Sequence, residues 1–96
     1  MPVPSDTSVR HWFVTGASGG LGRHLVEQAL RSGDRVTATV RRGSALEDLR
    51  ENYGDRLVIE VLDLARPAEV DTVIGRVLAS GPVDIVVNNA GYALVG

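Results

Sequence analysis

The sequence predicts an α/β fold, a doubly wound parallel sheet with helices on both faces. Three observations carry that expectation. Short β-rich runs alternate with stretches of helical periodicity in the order β-α-β-α-β-α-β. The connections are short, as in parallel strands joined by crossover helices. Apolar residues make up 44% and charged residues 23% of the 96 residues, a globular composition for one domain at most.

The elements follow in order. Residues 1–8 hold two prolines, two serines and a threonine, and read as a flexible leader. Residues 9–15 (VRHWFVT) read as a strand running into a glycine cluster. Residues 21–32 follow as a helix, with Leu21, Leu25, Val26, Ala29 and Leu30 on one apolar stripe and Gly33 at the C-terminal cap. Residues 35–40 (RVTATV) form a second strand, with four β-branched residues in six. After a turn at 41–43, Ser44 opens a second helix, and Glu47 completes a capping box three residues on. Leu46, Leu49 and Tyr53 make its inner face. Residues 56–62 (RLVIEVL) form a third strand, near-continuously apolar apart from Glu60. Pro67 suits the first turn of a third helix, whose stripe is Val70, Val73, Ile74, Val77 and Leu78. Gly81-Pro82 stops it, and residues 83–87 (VDIVV) form a fourth strand running into Asn88-Asn89-Ala90-Gly91.

Composition narrows the chemistry. A net charge of −2, from ten basic and twelve acidic residues, makes no electrostatic case for nucleic acid or an anionic membrane surface. There is no cysteine, so disulfides and thiolate metal sites are excluded. The apolar runs fall short of the ~18 residues a membrane span needs. The opening MPVPSDTSVR has no apolar signal core, so the expected setting is soluble and cytoplasmic. All ten basic residues are arginine, and without lysine the chain can hold no Schiff base, P-loop lysine or Tyr–Lys catalytic pair. His11 and His24 have no acidic or nucleophilic partner at useful spacing; they read as structural, and no metal site is expected. Trp12 reads as packing.

The turn after the first strand is Thr15-Gly16-Ala17-Ser18-Gly19-Gly20-Leu21-Gly22. Glycines let the backbone turn tightly and approach a pyrophosphate with no Cβ in the way. The helix that follows offers free N–H groups and the positive end of its dipole. Gly22 lets that helix pack close to the sheet. Strand before and helix after give the pattern a Rossmann-like, dinucleotide-binding context.

Here the chain resembles the short-chain dehydrogenase/reductase family. Thr15, Gly16, Gly20 and Gly22 fit that family's TGxxxGxG signature, while Gly16, Gly19 and Gly22 equally fit GxxGxxG, which resembles the extended branch or its non-catalytic NADP-sensing relatives. Asn88-Asn89-Ala90-Gly91, at the end of the fourth strand, matches the NNAG signature of the main dehydrogenase branch. The resemblance covers residues 9–96 and implies a strand order of 3-2-1-4. Family members run well over twice this length, so it marks the chain as the cofactor-binding half of a larger domain. In that order the fourth strand is an edge although it is apolar on both faces, which adds to the expectation of a longer enzyme.

The resemblance also assigns residues. Gly16, Ser18, Gly19, Gly20, Leu21 and Gly22 form the phosphate turn; Asp63 accepts from the adenine amine, with Leu64 behind it; Asn89, Ala90 and Gly91 brace the cofactor at the fourth strand's end. For Asp63, capping of the Pro67 helix is the competing reading. In NAD-dependent folds an acid near the end of the second strand takes the ribose 2′-hydroxyl. That position is Val40, which cannot accept a hydrogen bond through its side chain, and Arg41 and Arg42 follow at once. Guanidinium groups there suit a 2′-phosphate, so NADP(H) is the expected cofactor, against a reading of two solvated arginines on a turn.

The family's catalytic Ser, Tyr-x-x-x-Lys and Asn lie beyond NNAG, so no catalytic residue is expected here. Tyr53 and Tyr92 have no lysine partner, and Ser18 belongs to the phosphate turn. The expected function is the cofactor-binding part of an oxidoreductase moving a hydride between NADP(H) and a small carbonyl or alcohol substrate. The resemblance implies a homo-oligomer for the full-length protein. The alternative is a non-catalytic NADP-binding sensor, which GxxGxxG suits and NNAG does not.

Overall fold

The computed structural model describes residues 9–17, 19–63 and 65–88. The expected leader lies outside them. The elements are β1 (His11–Thr15), α1 (Gly20–Arg31), β2 (Arg35–Val40), α2 (Glu47–Tyr53), β3 (Leu57–Val61), α3 (Pro67–Ala79) and β4 (Ile85–Asn88). All strand pairs are parallel and the order is β3-β2-β1-β4, as expected.

Strand alternation sorts the core into two layers. Val14 aligns with Ala38 and Val87, and Ala38 with Ile59. This row packs under α1 and α2 with Val26, Ala29, Leu30, Leu46, Leu49 and Leu57. Phe13, the next residue along β1, faces the other way and packs with Leu62 and with Val73 and Val77 of α3. Helices therefore cover both faces, the arrangement that parallel strands with apolar side chains on both sides require.

α1 ends as the sequence predicts. The Gly33 N–H bonds to the Leu30 carbonyl at 3.1 Å and the Asp34 N–H to the Ala29 carbonyl at 3.0 Å, the paired bonds of a Schellman cap. Three local expectations need correction. The buried face of α1 is Gly22, Val26, Ala29 and Leu30, so Leu21 stands outside the stripe and is 58% exposed. Gly22 is buried on this face. The Ser44–Glu47 capping box does not form. The chain takes a 3-10 turn over Gly43–Leu46 before α2, and neither segment has a side-chain cap. Ser44 is thus inside a turn and not ahead of a helix. On α3, Val73 and Val77 are buried, while Ile74 and Leu78 flank that line and stay exposed.

Two aspartates pin the start of β1. Asp34, just before β2, accepts from the Arg10 N–H at 3.1 Å and from the Trp12 indole N–H at 2.8 Å. Asp84, just before β4, accepts from the His11 N–H at 2.9 Å and donates its own N–H to the His11 carbonyl at 2.9 Å. The buried His11 ring ties the same region. Its Nδ1 is 3.1 Å from the Pro82 carbonyl, which can only accept, so Nδ1 donates. In the neutral ring Nε2 then accepts from the Thr37 hydroxyl at 2.8 Å. Asp34→Ala leaves the Trp12 and Arg10 donors without their acceptor and is expected to cost about 2 kcal/mol or more. Asp34→Asn keeps one carbonyl acceptor and should cost less. Thermal unfolding of both variants tests this, and equal losses would show that a single remaining acceptor recovers nothing.

Candidate functional site

The glycine turn leaves β1 at the carboxyl end of the sheet, where ligands of open parallel sheets bind. Gly16 has φ 64° and Gly20 φ 58°, left-handed values that side chains with a Cβ adopt only with strain. β2 and β4 hold the turn. Thr39 accepts from the Gly16 N–H through its hydroxyl at 3.1 Å and from the Ala17 N–H through its carbonyl at 2.9 Å. On the other side, the Thr15 hydroxyl lies 3.1 Å from Asn88 Oδ1 and 3.4 Å from the Val87 carbonyl, one proton shared between two acceptors.

α1 starts from this turn with Gly19 as its N-cap, no side-chain cap and no acid in the first turn. The starts of α2 and α3, by contrast, carry Glu47 with Asp48, and Glu69. An acid would satisfy the first N–H groups and oppose an anion. The α1 start has neither obstacle, so the residues present fit a phosphate group.

At the carboxyl ends of β2 and β3 lies a cleft of about 410 Å³ lined by Arg41, Arg42, Ala45 and Asp63. The structure thus brings together three residues expected in the site and adds Ala45. Both arginines are exposed, and neither guanidinium has an ion-pair or hydrogen-bond partner among the described residues. Val40 turns the opposite way and is 1% exposed in the core. Asp63 does not cap α3, whose N-cap is Arg66 with no side-chain cap. Its carboxylate instead accepts from the Ala65 N–H at 3.0 Å, closing an Asx turn at the cleft wall.

One contact joins the glycine turn to the cleft. Arg23, next to Gly22 on α1, makes a two-pronged ion pair with Asp48 at the start of α2. The same guanidinium reaches the Ala45 carbonyl at 3.4 Å, and the Ala45 N–H bonds to the Arg42 carbonyl at 3.1 Å. The hydrogen bond from Arg23 holds the Asp48 carboxyl below the usual carboxylate range, and Asp48 in turn raises Arg23. Neither residue was a candidate from sequence. They are 25 positions apart, and only the tertiary fold pairs them.

Ser18, Leu64, Asn89, Ala90 and Gly91 of the expected site, and Tyr92, lie outside the described residues. Tyr53 packs against the core, with the Arg56 guanidinium 5.4 Å from its ring centre, and His24 is exposed on α1. Among the described residues, no group of three or more acidic, histidine or cysteine side chains could hold a metal ion. No helix there is long and apolar enough to cross a membrane.

Comparison with known proteins agrees with this geometry. Residues 10–96 match the family model described as short chain dehydrogenase. The NADP-dependent 3-hydroxy acid dehydrogenase YdfG of Escherichia coli is 38% identical over 83 residues, which cover 85% of this chain and 34% of that protein. A crystal structure of a short-chain dehydrogenase from Streptomyces avermitilis superposes with a TM-score of 0.82 at 46% identity, over 85% of this chain and 31% of the other. L-sorbose reductase from Gluconobacter frateurii, solved with NADPH and L-sorbose, superposes with a TM-score of 0.75 at 34% identity, over 88% of this chain and 34% of the other. The chain spans about a third of the length of the curated relatives it matches. With a family model matched from the start of β1 through the last residue, on the sheet order and glycine turn described above, the chain belongs to the short-chain dehydrogenase/reductase family.

Proposed function

We propose that the protein is an NADP(H)-dependent oxidoreductase acting on a small carbonyl or alcohol substrate, and that this chain supplies its cofactor site. The observation that carries the reading is the cleft at the ends of β2 and β3, where two exposed guanidiniums, Arg41 and Arg42, have no ion-pair partner among the described residues. The names of two relatives support the choice of cofactor: one is called NADP-dependent, and the other was solved with NADPH. The family match favours an enzyme over a non-catalytic sensor.

In this proposal the turn through Gly16, Ser18, Gly19, Gly20, Leu21 and Gly22 holds the diphosphate, and Arg41 with Arg42 holds the 2′-phosphate. Asp63 and Leu64 border the adenine, and Asn89, Ala90 and Gly91 brace the cofactor at the end of β4. When bound, the nicotinamide would give a hydride to a carbonyl or, in its oxidised form, take one from an alcohol. A Tyr–Lys acid pair cannot form within a chain that has no lysine, so the roles proposed for these residues are in binding the cofactor.

Arg41→Ala is expected to weaken NADPH binding about tenfold or more, since a hydrogen bond to a charged group contributes about 1.5–3 kcal/mol. NADH, which has no 2′-phosphate, should be nearly unaffected. Dissociation constants for both cofactors at fixed salt provide the test. Equal losses would return the arginines to a solvated turn. Turnover of a ketone panel with NADPH by the whole protein separates enzyme from sensor.

A further inference from the structure

The clip between α1 and α2 sits where cofactor choice is made, and it deepens the reading of the cleft as a 2′-phosphate site, on which it rests. Arg41 and Arg42 lie on the segment that leaves β2, and that segment has no side-chain cap over its 3-10 turn. Beside the core packing of Ala45 and Leu46, its polar hold toward α1 among the described residues is the Arg23 guanidinium. One edge of that group takes both carboxylate oxygens of Asp48, and it also reaches the Ala45 carbonyl. Ala45 is itself bonded to the Arg42 carbonyl and lines the cleft. On its other side Arg23 follows Gly22, so its backbone belongs to the first turn of the helix that starts at the glycine cluster. A single side chain thus links the wall that would meet the 2′-phosphate to the helix that would meet the diphosphate.

We infer that Arg23 and Asp48 are positioning residues for cofactor discrimination: they hold the 41–46 segment at a set distance from the start of α1, so that Arg41 and Arg42 stand ready for a 2′-phosphate. The gain is preorganisation. A segment already held in its binding geometry loses less freedom when the ligand arrives. NADH uses the glycine turn but has nothing for the arginines to grip, so loosening the clip costs NADPH more than NADH. A direct role for Arg23 in holding phosphate predicts something different. Asp48 neutralises Arg23, and on that view removing Asp48 would free a cation and tighten NADPH.

The variants are mild enough to fold. Arg23 and Asp48 side chains are 33% and 61% exposed, and pairs of that kind contribute little to global stability. Dissociation constants for NADPH and NADH are measured by calorimetry on the whole protein at fixed salt, with a melting curve for each variant. Arg23→Met is expected to weaken NADPH about fivefold and NADH less than twofold. Asp48→Asn should act in the same direction, the double variant should be no worse than the more damaging single one, and Asp48→Glu should restore most of the loss. Equal losses for the two cofactors, or tighter NADPH in Asp48→Asn, would overturn the inference. Arg41→Ala run alongside separates the two levels. If it erases discrimination while Arg23→Met leaves it intact, the clip alone is wrong. If Arg41→Ala leaves discrimination intact, the 2′-phosphate reading falls and the clip falls with it.

Discussion

Val40→Asp is expected to destabilise the protein by about 3 kcal/mol or more, not to convert it to NADH. By family logic this position is where a ribose-binding acid would stand, and a swap there is an obvious route to changing cofactor. The structure argues against it. The Val40 side chain is 1% exposed and packs in the layer that holds Leu46, Leu49 and Leu57. A carboxylate introduced there must either lose its hydration or push the end of β2 out of the sheet. At about 4–8 °C per kcal/mol for a domain of 60–100 residues, the melting temperature should fall by roughly 12 °C or more. Arg41→Ala, at an exposed position, should leave it unchanged. A Val40→Asp protein that melts normally and binds NADH more tightly would show that the side chain turns outward to the cleft.

Leu30→Ala should have a comparable effect through a cavity. Leu30 is 1% exposed on α1 and shares the core layer with Val14, Val36 and Leu57. Truncation of a fully buried leucine costs about 2–5 kcal/mol, depending on how far the surroundings close in. Its carbonyl bonds, to the Gly33 N–H and the Arg56 guanidinium, belong to the backbone and survive the change. The loss should therefore be one of packing. Saturating cofactor should recover part of it, about 2.7 kcal/mol at a hundredfold excess over Kd, because only the folded protein binds. Urea unfolding with and without NADPH measures both quantities. A loss below 1 kcal/mol would mean that α1 settles onto the sheet without this side chain.

The parts of this protein that were legible from sequence are those set by local pattern. β2 is bounded as read, residues 35–40, because four β-branched residues lie between a glycine cap and an arginine turn. The sheet order followed from the resemblance carried by the glycine turn and the NNAG motif. The misjudged features are those that depend on a third partner. Ser44 and Glu47 have the spacing of a capping box, yet the chain is already turning in 3-10 geometry when it reaches them. Leu21, Ile74 and Leu78 have the right periodicity, but periodicity cannot say which edge of an apolar arc the sheet will touch. Within the site, Arg41, Arg42 and Asp63 could be named because strand ends mark them. Ala45, Arg23 and Asp48 could not, since their roles come from α1 and α2 meeting across the end of β2.

The two aspartate clasps on β1 also set an order of assembly. Asp34 reaches back 24 positions to Arg10, whereas Asp84 reaches back 73 to His11. Closing the longer loop costs about 1 kcal/mol more in chain entropy. During synthesis β1, α1 and β2 can come together while the residues of β4 have yet to be made. For that interval one edge of β1 shows unpaired N–H and C=O groups, with Phe13 on a face that α3 has not yet covered. The strand that carries the glycine turn is then open to pairing with a neighbour, and the arrival of β4 closes that window.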